Sequence, residues 1–447
     1  MQNEQESTVS SEPNGNLVSL ALLSIVVGAG AGLIGALFRL SLTHADALRN
    51  SWIVWAHERK LIGFLLVVAV GAAAVACAAW LVRRFAPHTS GSGIPDVEAV
   101  LRERLQQPPA IFLIPVKFVG GVLAIGSGLA LGREGPSVQM GASVAHLFAR
   151  IFGCSRLDRL ALVAAGAGAG LATAFNAPIA GAIFVLEELF RRFETRMAIA
   201  ALGASAAAIT VARLILGDAP DFRVAPLAYA APETTLLHLL LGAAAGFLGV
   251  VYNRTLLAAL AFADGLRRWP VELRAGFIGA SVGVLAWFAP ALVGGGDPIT
   301  QHALDGVGSL ALLPMLLLLR LALGAVSYAA GTPGGLFAPL LVLGAQLGLF
   351  FALFCRLVFP DLDIEPSGFA VVGMAALFAA IVRSPLTGIV LVTEMTANVT
   401  MLLPMLGACF VATLVPTLLH NSPIYDSLRE RTLRRFSTQQ PDAGVHG

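Results

Sequence analysis

The chain has 447 residues, 57% of them hydrophobic and only 13% charged, and a net charge of +2. Soluble domains average about 25% charged residues, so composition excludes a water-soluble globule, and so small a positive balance leaves no footprint for nucleic acid. Cys77, Cys154, Cys355 and Cys409 are scattered through apolar stretches, which excludes a zinc ribbon or a CxxC redox pair, and no metal or cofactor is expected.

Residues 1–16 are polar, hold three glutamates and lack lysine or arginine. They read as a cytoplasmic tail rather than a secretory signal. From residue 17 onward the chain is long apolar runs broken by glycine and proline. At about 20 residues per span, it could supply roughly a dozen membrane helices or more. Basic residues cluster at Arg83–Arg84, Arg102/Arg104, Arg191–Arg192/Arg196, Arg267–Arg268 and Arg429–Arg435. The positive-inside rule assigns these clusters and both chain ends to the cytoplasm, with no soluble regulatory domain expected after the last of them.

Sliding the sequence against itself reveals two copies of one unit. Gly121, Gly128, Gly132, Pro136, Gly141 and Ala142 meet Gly324, Gly331, Gly335, Pro339, Gly344 and Ala345, each pair 203 positions apart. Lys117 meets Arg320 at that offset. Gly166, Pro178, Gly181 and Glu187 meet Gly373, Pro385, Gly388 and Glu394 at an offset of 207. The expected organisation is a first repeat over 17–217, a proline-bearing polar linker over 218–233, a second repeat over 234–425, and a cytoplasmic helix and tail over 426–447. Internal repeats with broken hydrophobic segments are a signature of secondary transporters, whose substrate sites lie where the repeats meet.

Three stretches share one local design: Gly91-Ser92-Gly93-Ile94-Pro95, Gly132-Arg133-Glu134-Gly135-Pro136 and Gly335-Leu336-Phe337-Ala338-Pro339. Glycine admits an irregular approach, and proline suits a first helical turn because its missing N–H would be unsatisfied there anyway. Each stretch presents unpaired backbone N–H groups at the positive end of a helix, an anion site made without a full buried charge. Glu134 adds an ionisable group inside an apolar segment. That placement is expensive in a membrane and marks an ion or proton path. No HExxH, GxSxG or paired-aspartate hydrolase motif is present, so an enzyme using these acids is disfavoured.

The three motifs, in this order and spacing, resemble those of the CLC family of chloride channels and chloride/proton antiporters, and most closely its bacterial antiporter branch. The resemblance runs from about residue 17 to 435. It implies an all-α integral membrane fold of two inverted-topology repeats of tilted and broken helices, assembled as a homodimer in a bacterial inner membrane. By the same resemblance, the Ser92 and Tyr425 hydroxyls and the Leu336 and Phe337 N–H groups bind chloride. Serine rather than proline at position 92 favours chloride over nitrate. Glu134 matches the external gating glutamate and Glu188 the internal proton-transfer acid, with Glu187 expected to help bring water. Gln139 stands where many eukaryotic members have histidine. Glu98 is the partner the family pattern suggests for the buried Lys117, and Arg133 is expected to raise the local positive potential. The activity implied is electrogenic exchange of chloride for protons, serving acid resistance as an electrical shunt. A passive chloride channel of the same fold is the alternative, and Glu188 favours exchange.

Overall fold

The structure, a computed structural model, describes residues 16–266 and 268–439, and among these the regular elements are all helices. Most of the expected N-terminal tail and the last eight residues of the expected C-terminal one lie outside the described residues. Seven helices are long and apolar enough to cross a membrane, and five more apolar helices are shorter.

Eight helices follow one another in the first half: α1 (Leu17–His57), α2 (Lys60–Phe85), α3 (Ile94–Leu101), α4 (Ala110–Gly126), α5 (Glu134–Ile151), α6 (Arg156–Phe175), α7 (Pro178–Phe184) and α8 (Thr195–Leu216). After an irregular segment, the same succession recurs as α9 (Thr235–Gly265), α10 (Val271–Phe288), α11 (Asp297–Leu304), α12 (Leu313–Ala329), α13 (Phe337–Val358), α14 (Pro366–Val382), α15 (Pro385–Thr396) and α16 (Leu402–Leu418). A final helix, α17 (Ile424–Gln439), has no counterpart.

The halves are inverted about a two-fold-like centre. Gly132 and Gly335, equivalent in the repeat, exchange both backbone hydrogen bonds, at 2.9 and 2.7 Å, in an antiparallel bridge. The loops before α3 and α11 are also equivalent, yet they open on two separate cavities. Helices α3 and α11 have 8 residues each. At 1.5 Å per residue they reach only ~12 Å, well short of a ~30 Å hydrocarbon core. Such helices start or stop inside the molecule, which brings their ends to a common site.

Small residues let the helices approach closely. A side chain on Gly166 of α6 would sit 2.7 Å from Ala145 Cβ of α5, and one on Gly373 of α14 would sit 3.0 Å from Gly348 Cα of α13. Helix α14 is buried along its whole length, and α6 is buried from Ala161 to Phe175. These two form the core around which the site is built. Outward faces of the long helices carry exposed Leu, Val, Ile and Phe, as a lipid-facing surface requires.

Candidate functional site

Glu134 opens α5 and is fully buried. Its carboxylate lies over the start of α13, where Oε1 accepts the Phe337 N–H at 2.6 Å. Side chains on Gly132 or Gly335 would collide with that carboxylate, so the two bridging glycines create the notch it occupies. The amides that face it belong to Phe337 and Ala338. A carboxylate thus sits where free N–H groups and a helix dipole would hold a small anion.

Ser92 and Tyr425 converge on the same place from the α3 loop and the start of α17. Both are fully buried, and a side chain on Gly135, next to Glu134, would lie 2.7 Å from Ser92 Oγ. Ser92 Oγ, Tyr425 Oη and Glu134 Oε2 make no hydrogen bond of standard geometry to the described residues. Burying polar atoms in that condition is unfavourable by about 1–3 kcal/mol each, so they mark a site built to hold something polar. The Phe337 ring fills the space behind, enclosed by Phe175, Phe184, Phe378 and Tyr425. Gly91, Gly93, Ile94 and Pro95 shape the α3 start, with Gly91 and Gly93 at φ of +67° and +83°, where a side chain would be strained. Pro136, Leu336 and Pro339 are buried at the starts of α5 and α13.

Glu188 lies apart, in a π-helical turn over Val185–Leu189 that continues α7. It is 1% exposed, accepts from Ser384 Oγ at 2.6 Å and stands 3.6 Å from the Arg191 guanidinium. Arg191 in turn pairs with Asp426 of α17 at 2.9 Å. Such turns recur at functional sites because the extra residue re-aims side chains. Glu188 borders a cavity of about 430 Å³ that also contains Arg191, Arg192 and Arg383.

Two sequence expectations need correcting. Lys117 does not pair with Glu98: its ammonium donates to the carbonyls of Thr89 and Gly91, at 3.0 and 2.8 Å. Glu98 instead holds Arg429 of α17 and lies 4.0 Å from Arg191. Arg133 adds little unbalanced positive charge, because it binds Asp221 at 2.8 Å and approaches Asp297 at 3.5 Å. Glu187 caps α15, its carboxylate accepting the Leu386 and Thr387 N–H groups at 3.0 and 2.6 Å, and it borders the same cavity as Glu188.

Sequence reasoning also missed two residues. Asp221, in the segment read as a plain linker, is buried and clasps both Arg39 and Arg133. Tyr328, inside the apolar α12, accepts the Ser92 N–H at 3.2 Å. An acid or a tyrosine in those surroundings carries no motif that would have flagged it.

Inverted repeats of broken helices converging on a buried, anion-compatible site define a membrane transport protein of the secondary-transporter type. The family described as voltage gated chloride channel matches residues 73–417, and the chain belongs to that family. It is 39% identical over 432 residues to the H(+)/Cl(-) exchange transporter ClcA of Vibrio cholerae, covering 95% of this chain and 92% of that protein. Against ClcA of Salmonella typhimurium it is 36% identical over 434 residues, covering 95% and 91%. Among solved structures, it is similar to a slow cyanobacterial Cl-/H+ antiporter, with a TM-score of 0.88, 34% identity and coverage of 93% of this chain and 98% of that one. A eukaryotic CLC transporter shares the fold at a TM-score of 0.77 and 23% identity, covering 92% and 74%.

Proposed function

We propose that this protein exchanges chloride for protons across a bacterial inner membrane, as a homodimer with one pathway per subunit and both chain ends in the cytoplasm. The observation that carries the reading is the Glu134 carboxylate seated on the Phe337 N–H. An ionised carboxylate and a chloride ion compete for the same donors. Protonation neutralises the side chain, weakens its hold on the helix end and lets it leave, so anion occupancy and proton binding become mutually exclusive. Exchange follows from that competition.

Ser92 and Tyr425 supply hydroxyl donors that hold chloride without neutralising it, and the N–H groups at the start of α13 complete the site. Each helix terminus contributes about 0.3–2 kcal/mol, enough to bind without trapping. Glu188 passes protons between the far side and Glu134. Its burial, its Ser384 hydrogen bond and its place in the π-helical turn support that role. Chloride leaving and a proton arriving move charge in the same sense. Transport is therefore electrogenic, with about 2.3 kcal/mol per charge per 100 mV available from the membrane potential.

The test is a flux assay on purified protein in liposomes with potassium and valinomycin to clamp the voltage. An outward chloride gradient without a pH gradient should drive protons inward, raising external pH until an uncoupler collapses the effect. Chloride efflux with no proton movement would make the protein a passive channel. Absence of anion flux would discard the transport reading.

A further inference from the structure

The start of α17, which carries Tyr425, is joined to Glu188 through a closed set of ion pairs. Asp426 follows Tyr425 in the first turn of that helix and meets the Arg191 guanidinium with both oxygens, at 2.9 and 3.3 Å. Arg429, one turn further on, pairs with Asp426 at 2.8 Å and with Glu98 of α3. Glu98 closes the ring, 4.0 Å from Arg191. Two acids and two arginines alternate around this ring, so its charges balance. Glu188 hangs outside it. One of its oxygens accepts from Ser384, and the other, Oε1, is buried with no hydrogen bond of standard geometry to the described residues, 3.6 Å from Arg191.

A single nitrogen, Arg191 Nη2, faces all three of these acids: Asp426, Glu188 and Glu98. It carries two N–H donors, so a third carboxylate is served only at the expense of another. The Arg191 backbone is left-handed, at φ +56°, which a residue with a side chain adopts only where its surroundings require it. Other charged groups nearby are engaged or solvated. Glu187 caps α15, and Arg383 donates to Thr417 and Asn421. Arg102, beside Glu98, and Arg192, on the cavity that Glu188 borders, are exposed to water and screened by salt.

We propose that Arg191 is a positioning residue that links the proton on Glu188 to the anion site, by fixing Asp426, and with it Tyr425, while Glu188 is protonated. This rests on the reading of Glu188 as the proton-transfer acid and of Tyr425 as a chloride ligand. With a proton on Glu188, the guanidinium is left to Asp426 and Glu98, and the ring is neutral. Once Glu188 ionises, it draws Nη2 off Asp426 and loosens the first turn of α17. Chloride affinity therefore rises as pH falls through the titration of Glu188, by a route that does not pass through Glu134.

The experiment measures calorimetric chloride binding against pH on full-length protein carrying Glu134→Gln, so that the external acid no longer titrates. Affinity should rise about threefold toward low pH, the scale of one partly exposed ion pair, since the Arg191 side chain is 39% exposed. Adding Arg191→Gln should flatten that slope, and Arg191→Lys, which keeps the charge the acids compete for, should restore it. Asp426→Asn cuts the other end of the link and should flatten it likewise. An arginine that only ties α17 down would lower thermal stability and affinity at every pH and leave the slope intact; that result overturns the proposal. A slope lost equally with lysine overturns it too, because packing rather than charge would then be at work. A slope that survives Glu188→Gln would remove Glu188 from its role and this proposal with it. Chloride binding with no slope before Arg191 is changed overturns this proposal alone, whereas no chloride binding at all overturns the chloride reading as well.

Discussion

The two halves of the molecule agree in their scaffold and differ in their chemistry. Lys117 donates to the carbonyls of Thr89 and Gly91; its counterpart Arg320 donates to those of Leu292 and Gly294, at 3.1 and 3.0 Å, each 203 positions on. Glu187 caps α15 at Leu386 and Thr387, while Glu394 caps α7 at Ile179 and Ala180, at 3.1 and 2.8 Å. Both buried cations clamp the loop before a broken helix, and both acids tie one half to the other. The residues proposed for transport lack such twins. Ser92 faces Gly295 in the repeat, Glu134 faces Phe337, Glu188 faces Met395, and Tyr425 follows the second repeat altogether. Symmetry therefore separates residues that hold the fold from the residues proposed to carry ions.

The largest effect should come from Glu134→Gln. An amide mimics the protonated gate, so chloride should still flow while proton coupling vanishes, and retained uphill proton movement in the liposome assay would sink the assignment. Next come the paired cations. Lys117→Met and Arg320→Met each leave buried carbonyls without donors, so both should lower stability by about 3 kcal/mol or more, Arg320 the more because it also serves Gly295. Thermal unfolding in detergent would read this, and a large difference in the opposite order would break the equivalence. The paired acids should matter less: Glu187→Gln and Glu394→Gln each weaken a helix cap, by about 1 kcal/mol, with coupling kept. Gly295→Ser should be smallest of all. A side chain there has only Leu131 O and Asp297 Oδ1 nearby, at 3.7 and 3.9 Å, so stability should stay within about 0.5 kcal/mol. A hydroxyl added there, beside the acid Asp297, should create no second chloride site, and calorimetry would detect one if it did.

Much of this was legible in the sequence because it is periodic. Two offsets, 203 and 207, revealed the repeat, and the Gly–Pro stretches marked where helices begin inside the molecule. Glu187 could be suspected of a structural role because Glu394 repeats it. Partners were not legible where they depend on how distant helices dock. Glu98 meets Arg429 across 331 positions, only because α17 folds back against α3. Lys117 is satisfied by backbone carbonyls, which leave no trace in side-chain patterns. Asp221 looked like linker polarity until its two arginines came together around it.

The most direct test of the division between twinned and untwinned residues is chloride-driven proton uptake measured side by side in Glu187→Gln and Glu188→Gln. These acids are neighbours in sequence and border one cavity, yet only the first has a counterpart. The account predicts that Glu187→Gln still drives protons uphill, and that Glu188→Gln moves chloride with no proton uptake. Coupling lost in the first variant and kept in the second would contradict it.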